Sequence, residues 1–70
     1  MVDYLVKCHK QDGTTEDRRA NGYFNALKTA KKMAAQYQHC AVIYVDTPDG
    51  FKVKNTVTPD GRRIKNGLRS

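Results

Sequence analysis

Apolar and polar residues alternate from Tyr4 to His9, with Tyr4, Val6 and Cys8 on one side and Leu5, Lys7 and His9 on the other. That two-residue period predicts a β-strand with one face more apolar than the other. Asp12-Gly13 follows, and its glycine tolerates the positive φ of a tight hairpin turn. Thr14-Thr15 then opens a polar stretch that closes at Arg18-Arg19, which predicts a second strand at the edge of a sheet.

After Ala20-Asn21-Gly22 the period changes. Tyr23, Leu27, Ala30, Ala34 and Tyr37, joined by Ala26 and Met33, recur at steps of three and four residues. They define one apolar stripe of a helix over residues 22–38, with Asn21 placed to cap its first turn. The alanines at or beside that stripe predict a close approach to a sheet, while Lys28, Lys31, Lys32 and Gln36 lie away from it.

From Cys40 to Val45 the chain is rich in β-formers and too short for an independent helix. Thr47-Pro48-Asp49-Gly50 is a turn sequence, and the same four residues return as Thr58-Pro59-Asp60-Gly61. Between the two turns Phe51, Val53, Asn55 and Val57 alternate with Lys52, Lys54 and Thr56, a strand with one basic face. Two such turns predict a three-stranded meander whose last strand runs around Arg62 to Lys65. Residues 1–65 are thus read as one domain and 66–70 as a flexible tail.

The predicted fold is α+β: an antiparallel sheet of four to five strands with one helix on one face, in the order β-β-α-β-β-β. One helix covers one face, so the other is expected to stay largely open.

With 70 residues, a second domain or a two-lobed cleft is excluded. Lys and Arg number 13 against 7 Asp and Glu, a formal charge of +6. Residues 1–20 are neutral, so all the excess falls after them, in the helix and in residues 39–70. The longest apolar stretch, Ala41 to Val45, is far below the roughly 20 residues of a membrane-spanning helix, and the chain reads as soluble and cytoplasmic.

Catalytic chemistry finds little to use. The one serine is Ser70, His9 and His39 have no carboxylate in a local motif, and the five glycines are isolated turn or cap residues. A non-enzymatic protein without cofactor is expected. Cys8-His9 and His39-Cys40 form a mirrored pair, but adjacent strand residues point to opposite faces, so two half-buried free thiols are expected rather than a metal site. A Cys8–Cys40 disulfide becomes geometrically open if their strands are neighbours.

The basic residues carry the functional expectation. Lys28, Lys31 and Lys32 form a helix patch in which Lys28 and Lys32 repel each other at i,i+4 without a compensating acid. If Val53 faces the helix, Lys52 and Lys54 lie on the opposite, open side, extended there by Arg62, Arg63 and Lys65. Two patches on opposite sides of the sheet disfavour a single duplex contact and suit an acidic protein surface or a nucleoprotein complex. Direct phosphate contact to nucleic acid is the alternative. Of the aromatic residues, Tyr44 and Tyr4 are the candidates for stacking a base on the open sheet.

The runs Tyr4-Leu5-Val6-Lys7, Leu27 to Ala34, Ala41 to Val45, Asp49-Gly50-Phe51 and Asp60-Gly61-Arg62-Arg63 resemble in layout the small phage-encoded anti-CRISPR proteins that act on type I surveillance complexes. That resemblance covers residues 4–65 and rests on element order and an alanine-lysine helix. It implies a binder of a host nucleic-acid-handling complex, acting in the host cytoplasm, and transfers no particular contact residue.

Overall fold

The computed structural model describes residues 2–65, Lys65 by its backbone only; the predicted tail, 66–70, lies outside the described residues. The chain is an α+β domain with the strands β1 (Asp3–His9), β2 (Thr15–Asn21), β3 (Ala41–Thr47), β4 (Gly50–Val57) and β5 (Arg63–Lys65), and the helix α1 (Tyr23–Tyr37) between β2 and β3. The sheet is antiparallel, in the spatial order β2-β1-β3-β4-β5. Placing β1 between β2 and β3 puts the polar strand β2 at an edge, as its sequence requires.

The core lies between the sheet and α1. Val6 and Cys8 of β1, Ala41 and Ile43 of β3 and Val57 of β4 meet Ala26, Ala30, Met33 and Ala34 of the helix, all buried. Tyr4, Ala20, Tyr23, Leu27 and Tyr37 pack around them. The alanines let the helix axis come close to the strands, at the expense of apolar volume. The core is therefore small, and each large side chain in it carries a large share of the stability.

Gly22, rather than Asn21, stands at the start of α1. With φ at 89° it occupies a conformation that an L-residue adopts only under strain, which is why glycine fits where β2 turns into the helix. Asn21 is engaged elsewhere: its Nδ2 donates to Asp3 Oδ1 at 3.0 Å, and its carbonyl accepts from Asn25 Nδ2. At the other end Gln38 closes the helix in the left-handed region, its N–H returning to the Ala34 carbonyl at 2.8 Å.

The largest departure from the sequence pattern is in β4. Ile43 pairs with Asn55 and Tyr44 pairs with Val53, so Lys54 is an extra residue, a β-bulge. An extra residue reverses the faces of everything beyond it. Val57 and Asn55 point to the helix, whereas Val53 and Phe51 lie with Tyr44 and Asp46 on the open face. Lys52 is opposite Val45 on the helix side, and the Lys54 ammonium sits 5.7 Å from the centre of the Tyr23 ring. The premise that Val53 faces the helix does not hold.

Among the described residues Asn55 is the one buried polar side chain in the core. Its Oδ1 accepts from the Tyr23 hydroxyl at 2.9 Å, and its Nδ2 has no partner among the described residues. Tyr23→Phe should therefore strand Oδ1 as well and cost about 1–3 kcal/mol, read from urea denaturation midpoints. A loss well below that range would mean that the Tyr23–Asn55 bond contributes nothing.

Candidate basic groove and open sheet face

Paired residues in adjacent strands share a face, so the register assigns each charged side chain to one side of the sheet. Glu16 and Arg18 of β2 lie opposite the buried Cys8 and Val6 and therefore face α1. Arg63 lies opposite buried Val57 and faces the same way. With Lys52 and Lys54 turned by the bulge, the helix side gathers Arg18, Lys28, Lys31, Lys32, Lys52, Lys54 and Arg63, with Glu16 the one carboxylate among the described strand and helix residues there. The open face carries Lys7 and Arg19 against Asp3, Asp17 and Asp46. The two basic patches expected on opposite sides are on the same side.

Arg62 stands in the last turn, its N–H bonded to Thr58 Oγ1 at 3.1 Å and its side chain exposed. Lys65 lies opposite Asn55 in the register, and its side chain is outside the described residues.

A groove of about 470 Å³ runs between the edge strand β2 and the helix. Arg18, Arg19, Ala20 and Asn21 form its strand wall, and Asn25, Lys28, Thr29, Lys32, Met33 and Gln36 form its helix wall. Among the described residues no carboxylate lines it. Lys28 and Lys32 have no acidic partner among the described residues, Lys28 resting 5.7 Å over the Phe24 ring. Helical spacing turns Lys31 to the other flank, beside Leu27.

Outside the groove lining, Glu16 ties the edge strand to the last turn of the helix. It accepts from the Tyr37 hydroxyl and from Arg18 Nε at 2.6 Å, with Lys10 at 4.0 Å. The Tyr37 hydrogen bond first, then Arg18, keeps its carboxyl below the usual range, and Tyr37 is correspondingly raised. Asp12 and Asp60 are lowered by their Thr14 and Thr58 hydrogen bonds. All three carboxyls are depressed in the folded state, so their contribution is present above the unfolded carboxylate range near pH ~4 and is lost as pH falls through the folded values. The urea midpoint should therefore drop on acidification below about pH 4, and Tyr37→Phe should reduce that drop. An unchanged acid profile in the variant would remove Glu16 from the account.

The open face is apolar on its β3–β5 half. Val42 and Tyr44 are partly exposed there, with Leu5 of β1 beside Tyr44, and Phe51, Val53 and Ile64 are 46%, 44% and 43% exposed. Tyr44 is on this face as expected. Tyr4 is not: it lies on the helix side, its ring 5.6 Å from that of Tyr23, and Phe51 is the second open-face aromatic in its place.

Cys8 and Cys40 are free thiols, but not an equally half-buried pair: Cys8 is buried and Cys40 exposed. Burial chiefly raises the Cys8 thiol above its ordinary range. The β1–β3 pairing brings the His9 and His39 rings to 6.5 Å, yet no three His, Cys, Asp or Glu side chains converge on a metal position among the described residues. No helix among them is long and apolar enough to cross a membrane.

Comparison with protein-family models, curated proteins and solved structures returned no match. The functional reading therefore rests on the residues of this chain.

Proposed function

We propose that this protein is a non-enzymatic binding module that docks through its basic helix side onto a host nucleic-acid-handling complex and modulates it, in the manner of the phage-encoded proteins it resembles. The reading is carried by the segregation of Arg18, Lys28, Lys31, Lys32, Lys52, Lys54 and Arg63 on one side of a small sheet. A one-sided cation distribution gives the molecule a directional field, which orients it on an anionic partner during approach. The uncovered Tyr44, Phe51, Val53 and Ile64 face lies on the opposite side of the sheet and offers a separate apolar surface to another subunit of such a complex.

Direct binding to nucleic acid is the second reading, and the bulge in β4 favours it, because it removes the obstacle of patches on opposite faces. The domain is at most 32 Å long, about one turn of duplex, so such contact is confined to a few phosphates. Mobility shifts with duplex and single-stranded probes at two salt concentrations, together with affinity capture from host lysate, separate the readings. Docking predicts a captured complex that survives nuclease and weak, steeply salt-dependent shifts with bare probe. Tight shifts with bare probe and no nuclease-resistant capture would replace it with direct binding.

A further inference from the structure

The edge of β2 has a hydrogen-bonding pattern that can be read from its two ends. Lys10 N–H bonds to the Thr14 carbonyl at 2.7 Å, and Gly22 N–H bonds to the Val2 carbonyl at 3.0 Å, so both ends of the ladder are hydrogen-bonded pairs. Alternation along an antiparallel pair makes Glu16, Arg18 and Ala20 the β2 residues bonded to β1. The N–H and C=O groups of Thr15, Asp17 and Arg19 then point away from the sheet, where no strand lies among the described residues. This free edge borders the cationic groove.

We infer that the β2–α1 groove receives an extended acidic segment of a partner protein, which adds to the sheet as a strand beside β2. The inference rests on the docking reading above and names how the partner is held. Charge complementarity commits it to an acidic occupant. In an added strand, the residues opposite Arg18 and Ala20 turn toward the helix and meet Arg18, Lys28 and Lys32, whereas the residue between them turns to the open face near Arg19 and Asp17. The recognised pattern is therefore acidic-x-acidic, with an uncharged residue at x: that residue lies opposite Arg19, whose guanidinium already has Asp3 at 3.9 Å and Asp46 at 3.7 Å, with Asp17 diagonal to it. A nucleic-acid strand would use the same lysines but has no backbone to exchange hydrogen bonds with Asp17 and Arg19.

The test uses the full chain and a fluorescent peptide with glutamate at alternate positions and valine between, compared with a peptide of the same composition with its glutamates consecutive, and with oligothymidylate. Asp17→Ala removes a carboxylate and keeps the edge N–H; Asp17→Pro removes both, in a place where an edge strand tolerates proline. Strand addition predicts that Asp17→Ala binds the alternating peptide at least as well as the parent chain, and that Asp17→Pro binds about tenfold more weakly. It also predicts slowed amide exchange at Asp17 and Arg19 of the parent chain when peptide is bound, a readout that stands even if Asp17→Pro does not fold. Equal binding by the two variants with unchanged exchange, no preference for the alternating peptide, or binding of oligothymidylate alone would each overturn strand addition. Those outcomes leave the docking reading intact, which fails instead if Lys28→Glu with Lys32→Glu captures the host complex undiminished.

Discussion

Lys28→Glu, Lys31→Glu and Lys32→Glu introduced together should abolish partner binding while leaving the domain folded. The three substitutions take the formal charge from +6 to zero and place three carboxylates in the centre of the basic side. All three lysines are exposed and none has an acidic partner among the described residues, so no ion pair is lost. The change to folding stability should stay within about 0.5 kcal/mol, the range of surface substitutions away from special features. For any component of binding that is phosphate contact, the slope of log affinity against log salt should fall by about one for each lysine that touches a phosphate. Circular dichroism checks the fold, and capture and mobility shifts check the binding. Lys52→Glu with Lys54→Glu is the companion variant: because the bulge puts both on the helix side, it should weaken the same interaction. Full activity in the triple variant would remove the helix from the site, and full activity in the double variant would confine the site to α1 and β2.

Ile43→Ala should come close to unfolding the protein. Ile43 is fully buried in the central strand, between Val6 of β1 and Asn55 of β4 and beneath the helix alanines. Truncations of this kind cost about 2–5 kcal/mol, the loss growing with the cavity that remains. A domain of this length is held together by roughly 4–10 kcal/mol in total. Helix alanines have no spare volume with which to fill the hole, so the upper half of the range applies. At roughly 4–8 °C per kcal/mol, the melting temperature should fall by more than about 12 °C. Val53→Ala, on the open face beyond the bulge, should change stability by less than about 1 kcal/mol, since its side chain is already 44% exposed. Equal losses at the two positions would contradict the face assignment in β4.

The comparison of Ile43 with Val53 also marks where sequence pattern and structure part. Both are apolar residues in alternating runs, and by period alone both face the core. Pairing with β3 inserts Lys54 as an extra residue and turns Val53 and Phe51 outward, an event with no local signature because each half of β4 still alternates. The basic side was hidden for a related reason. Residues 1–20 are neutral in sum, but pairing sends Arg18 to the helix side and Asp3 and Asp17 to the open face. Net charge along a segment carries no information about which side of a sheet receives it. The groove was partly legible: a polar edge strand leading through Gly22 into a lysine-bearing helix is a signal that cations will border a free strand edge.

Local chemistry alone was sufficient for the elements and the fold class. The alternation of Tyr4 to His9, the apolar stripe from Tyr23 to Tyr37 and the twin Thr-Pro-Asp-Gly turns are short-range patterns, imposed by backbone geometry and by which face must leave water. The same holds for the Lys28, Lys31 and Lys32 cluster, whose spacing on a helix is a property of four or five consecutive residues. The side taken by Lys52, Lys54 and Arg63, the free edge beside the groove and the apolar face left uncovered were decided only by tertiary pairing. Each depends on register between strands distant in sequence, and a single extra residue in one strand inverts every position beyond it.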